Sequence, residues 1–271
     1  MMTAVDRLRD RSVLVTGSTG IAAATARRAA AEGASVFVVS RNAEHARALG
    51  EQLPNGGWAA AELTNERAVD DAVGAAIQHL GRIDGLFSAA GGSGRRFGDG
   101  PIHALTGDAW EATAALNLRT QILVCSRVVR AMREQRPDDS GLRGSILILG
   151  SITTEAPVPE LFGTHGYAAA KGALTALMTS MAATYITDGI RVNLVAPSLT
   201  ETPMAGRAAS DPHILEYAAR KQPLAGPMLD PDEVANAAIY FLSDESRAVT
   251  GQSLGIDGGW SIVSTTAEPT P

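Results

Sequence analysis

The chain has 271 residues, 45% hydrophobic and 19% charged, with a formal net charge of −6. That size and balance suit a folded domain with its own core and argue against a disordered chain or a coat for nucleic acid. A single cysteine, Cys125, rules out an internal disulfide framework, and no apolar run reaches the roughly 18 residues that cross a bilayer.

In chain order, the N-terminus Met1-Met2-Thr3-Ala4-Val5-Asp6-Arg7 is polar and lacks the apolar core of a secretion signal, so the expected compartment is cytoplasmic. Ser12–Thr16 (SVLVT) reads as a buried strand, residues 22–32 as a helix and Ser35–Ser40 (SVFVVS) as a second strand. Helices are expected over 44–53 and 65–80, the latter capped by Thr64. A strand over 86–89, a long helix over 110–135, a strand over 145–149, a helix over 168–187 and a strand over 191–196 follow, and Pro231-Asp232-Glu233 opens another helix. Strands alternating with helices imply an α/β fold, a doubly wound parallel sheet with helices on both faces. Segments 95–101, 137–144 and 154–166 read as surface loops, because the rhythm resumes after each. One domain over 1–271 is expected, with a substrate lid over 200–227 and a frayed tail over 265–271. The histidines at 45, 79, 103, 165 and 213 have no paired ligand spacing, so no metal site is expected.

The first strand runs into Thr16-Gly17-Ser18-Thr19-Gly20-Ile21-Ala22-Ala23 and then a helix. Glycines there let the backbone approach a pyrophosphate, and the helix N-terminus favours its charge. The alternative is a tight turn with no ligand. The second strand ends at Ser40-Arg41-Asn42, with no acid to hold ribose hydroxyls. The planar fork of Arg41 suits a 2′-phosphate, which favours NADP(H) over NAD(H); a solvated loop arginine is the alternative.

Only two of the 23 Lys and Arg residues are lysines, and each lies four positions after a tyrosine: Tyr167-Ala-Ala-Ala-Lys171 and Tyr217-Ala-Ala-Arg-Lys221. On a helix such positions share a face, and a cation beside a phenol favours its ionised form. Such a tyrosine can exchange a proton with a ketone or alcohol oxygen. Tyr167 follows a strand that delivers Ser151 to the carboxyl edge of the sheet, where ligands bind in this architecture. Tyr217 follows no strand, so Tyr217 and Lys221 read as an incidental surface pair.

These residues resemble the short-chain dehydrogenase/reductase family in its compact single-domain branch, a Rossmann-type fold. The resemblance runs from about Arg11 to Trp260 through Thr16-Gly17, Ala89-Ala90-Gly91, Asn117, Ser151, Tyr167-x-x-x-Lys171, Arg191-Val192-Asn193, Val249-Thr250-Gly251-Gln252 and Asp257-Gly258-Gly259. It implies a catalytic set of Asn117, Ser151, Tyr167 and Lys171. Tyr167 is then the general acid/base, with its pKa lowered by Lys171; Ser151 binds the substrate oxygen, and Asn117 supports a water chain to Lys171. The cofactor would lie along Gly17, Ser18, Thr19, Gly20, Ile21, Ser40, Arg41, Asn42, Glu62, Leu63, Ala89, Ala90, Gly91, Tyr167, Lys171, Pro197, Ser198, Leu199 and Thr202. A homotetramer, or a homodimer, is implied through the helices over 110–135 and 168–187 and a strand near Ser253–Ile256.

Several positions depart from that pattern. Gly17-x-x-Gly20-x-x-Ala23 has the spacing of the family's larger extended branch, with Ala23 in place of its last glycine, and should shift the helix from the pyrophosphate or the first strand. Ser88-Ala89-Ala90-Gly91 lacks the usual asparagines, Glu62 stands where aspartate meets adenine, and Ser198 replaces a glycine. Ser151 and Tyr167 are 16 positions apart, so 157–166 is expected to bulge, with His165 more exposed than in contact with substrate. The function expected is hydride transfer between a nicotinamide and a small-molecule ketone or secondary alcohol. The alternatives are a catalytically silent nucleotide-binding regulator and, from the turn spacing alone, an epimerase or dehydratase. Arg95 and Arg96 could meet an anionic substrate, although solvated charges are the plainer reading. Met204, Ile214 and Leu215 suggest an apolar wall, and 12 aromatics in the whole chain give no sign of an aromatic one.

Overall fold

The computed structural model describes residues 6–264; the tail expected over 265–271 lies outside the described residues. Seven parallel strands form one sheet in the order β3-β2-β1-β4-β5-β6-β7. They are β1 (Ser12–Thr16), β2 (Ser35–Ser40), β3 (Gly57–Ala60), β4 (Gly85–Ser88), β5 (Gly144–Leu149), β6 (Ile190–Pro197) and β7 (Ser253–Ile256). The strand order reverses between β1 and β4, and the crevice beyond the strand ends at such a point is where ligands bind.

Side chains partition between the two faces with the period of two that a strand imposes. Val13, Val15, Val36, Val38, Phe87 and Leu147 enter one apolar layer, where α1 (Gly20–Ala31) packs on α10 (Pro231–Leu242). Leu14, Phe37, Val39, Leu86, Ile146 and Ile148 enter the other. That layer is covered by α3 (Glu66–Leu80), α5 (Thr120–Glu134) and α7 (His165–Tyr185). Strands buried on both faces account for the unbroken apolar runs in the sequence.

Strand β3 was not anticipated. Its residues, Gly-Trp-Ala-Ala, include no β-branched side chain, and pairing Phe37–Ser40 with Gly57–Ala60 makes it a strand. The cap of α3 is Asn65, whose side chain accepts the Ala68 N–H at 3.1 Å, and not Thr64. The single helix expected over 110–135 is two, α4 (Gly107–Ala114) and α5, joined by a π-helical turn at Ala115–Arg119. The Asn117 amide donates to the Thr113 carbonyl at 3.0 Å, taking an acceptor that the helix backbone would otherwise use.

Two matched motifs hold the sheet's far edge. Asn193 on β6 donates to the Val249 carbonyl at 2.9 Å and accepts the Gln252 N–H at 3.1 Å. The segment 200–227, expected to be a lid, carries α8 (Gly206–Ala209) and α9 (Pro212–Lys221). It is anchored by the buried Gln222, whose amide donates to the Leu199 and Gly226 carbonyls.

Candidate active site

The carboxyl ends of β1, β2, β4, β5 and β6 open on one edge of the sheet. Gly17 follows β1 with φ +102°, and its N–H donates to the Val39 carbonyl at 2.8 Å. A Cβ there would stand 2.9 Å from the Ala22 methyl. Gly20 has φ +53°, and a Cβ there would stand 2.6 Å from Thr202 Cγ2. The residue facing the turn is therefore Ala22, one position before the Ala23 singled out from the sequence. Helix α1 begins at Gly20, and its N-cap, Thr19, makes no side-chain capping bond. The glycines let this turn close tightly, and the helix start without a side-chain cap fits a dinucleotide pyrophosphate.

Across the groove, Ser18 Oγ donates to Ser40 Oγ at 2.9 Å. Arg41 is 61% exposed, and its Nη1 lies 3.8 Å from Glu62 Oε2. Glu62 Oε1 accepts both the N–H and the hydroxyl of Thr64. Ser40, Arg41 and Glu62 thus sit at the rim where an adenosine ribose would lie. Two residues assigned to the cofactor serve the fold as well: Asn42 caps α2 (Ala43–Gln52) by accepting the His45 N–H, and the Leu63 side chain is in the core. Thr16 Oγ1 accepts the N–H groups of Ala89 and Ala90 at 2.9 and 3.1 Å, tying the ends of β1 and β4 together at the sheet's centre.

Ser151, buried after β5, shares a 2.9 Å hydrogen bond between its hydroxyl and that of Thr153. Tyr167 and Lys171 occupy one face of α7, with Lys171 Nζ 5.8 Å from the Tyr167 ring centroid. Lys171 is 3% exposed, and its Nζ donates to the Leu149 carbonyl at 2.7 Å. Burial dominates the acid–base properties of both. It pushes the Tyr167 phenol up to about 12, against a smaller downward pull from nearby Ser151, and it pushes the Lys171 ammonium down to about 8. The expected lowering of Tyr167 by Lys171 is not found: burial raises the phenol, and the downward pull comes from Ser151. Asn117 is fully buried; its amide donates to the Gly92 carbonyl and its oxygen accepts the Gly92 N–H, both at 3.0 Å. A Cβ on Gly91 would lie 2.8 Å from Asn117 Oδ1 and 3.8 Å from Lys171 Nζ, so that glycine leaves room beside both.

Ser151 and Tyr167 line a cleft of about 220 Å³ that runs from Ile21 to Trp260. Pro197, Ser198, Leu199 and Thr202 line it as well, and the Ser198 hydroxyl is buried without a hydrogen-bond partner. A donor left unsatisfied beside Tyr167 fits the polar edge of a cofactor ring.

The family model described as Enoyl-(Acyl carrier protein) reductase matches residues 15–261. Short-chain dehydrogenase reductase 5 of Arabidopsis thaliana is 34% identical over 265 residues, covering 96% of this chain and 98% of the relative. The chain belongs to the short-chain dehydrogenase/reductase family. A short-chain type dehydrogenase/reductase from Mycobacterium ulcerans superposes with a TM-score of 0.83 at 30% identity, covering 94% of this chain and 91% of that one. A 3-ketoacyl-(acyl-carrier-protein) reductase from Brucella melitensis, complexed with NADH, superposes with a TM-score of 0.81 at 25% identity, covering 94% and 100%. The class is that of the NAD(P)-dependent oxidoreductases.

In this short-chain dehydrogenase/reductase the walls of the cleft depart in part from the sequence expectation. The cleft does have an aromatic wall, because Phe162 and Trp260 line it with Tyr167. Trp260 meets Phe162 and Tyr217 edge-on, at 5.9 and 6.0 Å between centroids. Tyr217 is therefore half-buried against that wall rather than a surface residue, and Lys221 donates to the Val263 carbonyl. His165 takes no part in the cleft: its Nδ1 accepts the Ile102 N–H at 2.9 Å. Met204 lines the cleft, whereas Ile214, on α9, is buried and does not line it.

Three contributors to the site belong to none of the motifs above. Arg207 lines the cleft, Trp260 closes it, and the buried Asp99 accepts the backbone N–H groups of Gly166 and Tyr167. Only Asp99 had a sequence signal, an acid between glycines in Gly98-Asp99-Gly100. Among the described residues, no group of His, Cys, Asp and Glu could hold a metal, and no helix is long and apolar enough to cross a membrane.

Proposed function

We propose that this chain is an NADP(H)-preferring dehydrogenase/reductase acting on a ketone or secondary alcohol, with Tyr167 as its general acid/base. The observation that carries this reading is the shared wall of Ser151 and Tyr167, with Lys171 buried behind Tyr167 and Ile21, the residue that follows the glycine turn, on the same cleft. A nicotinamide bound there supplies hydride to a carbonyl carbon or accepts it from a carbinol. The residues along the groove, Gly17 to Ile21 and Pro197 to Thr202, would hold it by backbone amides and by the Ser198 and Thr202 hydroxyls.

The protein's own task is the proton. A carbonyl oxygen seated between Ser151 and Tyr167 takes a hydrogen bond from the Ser151 hydroxyl and a proton from the phenol as negative charge develops on it. A phenol that holds its proton at neutral pH suits that direction. In the reverse direction the phenolate takes the carbinol proton, and the Lys171 charge one turn away stabilises it. Asn117, held by backbone bonds in its π turn, would support a water chain that passes protons to Lys171.

The preference for NADP(H) rests on Ser40 and Arg41 at the end of β2, with no acid ending that strand. The assembly is read as a homotetramer, supported by apolar side chains half-exposed on the expected interface elements: Trp110 on α4, Ile122 on α5 and Leu254 on β7. Sedimentation at micromolar concentration checks it. Cytoplasmic residence fits the one free thiol, Cys125, which is buried.

The test is a panel of ketones and secondary alcohols with NADPH, NADH and their oxidised forms, read by the absorbance of the reduced cofactor. Turnover on at least one member, faster with the phosphorylated cofactor, is expected. Cofactor binding without turnover on any member would point to a catalytically silent nucleotide-binding protein instead.

A further inference from the structure

We propose that Arg95 and Arg207 form an anion-binding subsite at the mouth of the cleft, so that the substrate is an oxo acid or hydroxy acid. This rests on the oxidoreductase reading above and adds to it the charge of the substrate. The two arginines come from separate segments, Arg95 from the turn after β4 and Arg207 from α8, and both line the same cleft as Ser151 and Tyr167. Each donates from Nη2 to one acceptor, the Leu161 carbonyl, at 3.2 Å for Arg95 and 2.9 Å for Arg207.

Two cations on one neutral oxygen are not neutralised. Among the described residues, neither guanidinium forms an ion pair with a carboxylate, whereas Arg11, Arg82, Arg127 and Arg133 each have an acid within reach. Burial lowers the pKa of Arg95, the charge of Arg207 lowers it further, and Asp99 opposes both. Asp99 is already committed, since its two oxygens accept the Gly166 and Tyr167 N–H groups. The pair therefore brings two guanidinium charges, against the single nearby charge of Asp99, and donors unused by any carboxylate to the cleft, the arrangement that an anionic substrate group satisfies. The Arg207 guanidinium also lies 6.0 Å from the Phe162 ring centroid, which ties the charged rim to the aromatic wall.

A substrate fits with its carbonyl at Ser151 and Tyr167, its apolar body on Phe162 and Trp260, and its anionic end on the two arginines. The reaction balances as before: hydride to the carbonyl carbon and a proton to its oxygen give the secondary alcohol, and the carboxylate is unchanged.

The experiment pairs each oxo acid with its neutral ester: levulinate with methyl levulinate, and phenylglyoxylate with methyl phenylglyoxylate. Acetonylphosphonate serves as a second anion. Binding is measured by calorimetry with and without NADP+, and turnover by NADPH absorbance. In the wild type, the acids are expected to exceed their esters by about tenfold or more in affinity and in kcat/KM, the scale of a charge-assisted hydrogen bond. In the double variant Arg95→Gln/Arg207→Gln, that ratio should fall to about one. Preference for phosphonate over carboxylate would assign the subsite to phosphate-type anions. Equal binding of acid and ester by the wild type, binding of neither, or an undiminished ratio in the double variant would overturn the proposal. The wild-type comparison stands even if the double variant does not fold. The calorimetry decides the subsite even if no ketone is reduced, an outcome that would sink only the oxidoreductase reading.

Discussion

Asp99 and Tyr167 are joined directly, although they lie on different elements. Asp99 Oδ2 accepts the Tyr167 N–H at 2.8 Å, and Oδ1 accepts that of Gly166 at the same distance. Thr164, the N-cap of α7, makes no side-chain capping bond, so an acid from the loop after β4 caps the helix that carries Tyr167. Negative charge is favourable at a helix N-terminus, and here it also fixes the height of the phenol above the sheet edge. The loop after β4 and the start of α7 are thereby held as one unit beside the cleft.

Replacing Asp99 by Asn removes the charge and weakens one of the two bonds. The expected cost is about 1–2 kcal/mol, a fall in Tm of about 2–4 °C for a domain of this size. Turnover should drop severalfold while cofactor affinity holds, because the glycine turn lies on another element. Thermal melts and cofactor titrations on the same variant check both halves.

Lys171 is buried at a cost to stability. Its pKa falls from 10.5 to about 8 on folding, so the unfolded chain binds the proton more tightly. The penalty is full below pH 8 and fades as pH rises from 8 toward the unfolded value, where both states become neutral. The shift is worth at most about 3 kcal/mol, and losing the bond to the Leu149 carbonyl returns about 1 kcal/mol of it. Lys171→Met should therefore be inactive yet about 1–2 kcal/mol more stable than the wild type at pH 7, with the difference shrinking toward pH 10. Urea denaturation at several pH values measures it.

Arg41 and Glu62 are neighbours at the rim of the cofactor groove, 3.8 Å apart. If Arg41 meets a 2′-phosphate, Arg41→Ala weakens NADPH binding about tenfold and leaves NADH binding nearly unchanged. Glu62→Gln removes a competing negative charge and should tighten NADPH about two- to fivefold. Fluorescence titration of both cofactors against both variants gives the answer; equal losses for NADPH and NADH would reject the assignment of Arg41.

Much of the fold was legible because burial on both faces leaves an unmistakable mark. Ser12–Thr16 and Ser35–Ser40 are apolar without interruption, and the structure has strands at both places. β3 was hidden because Gly57–Ala60 owes its conformation to β2 and not to its own side chains. The π turn was hidden because it depends on where the Asn117 amide finds acceptors, a tertiary fact. At the site, Ser151, Tyr167 and Lys171 could be placed together from a strand end and a one-turn spacing. The aromatic wall could not, since a low aromatic content averages over the chain, while folding brings Phe162 and Trp260 together from segments far apart in sequence. Arg207 was equally obscure, since only the fold carries it from α8 to the Leu161 carbonyl that Arg95 also uses.

The central claim, that Tyr167 transfers the proton, is tested most directly by single-turnover kinetics of Tyr167→Phe with a ketone that the wild type reduces. The ring and its packing are kept, and only the hydroxyl is lost. The account predicts a fall in the rate of NADPH oxidation of about 100- to 10,000-fold, with the cofactor dissociation constant unchanged. A variant that reduces the ketone within a few fold of the wild-type rate would contradict it.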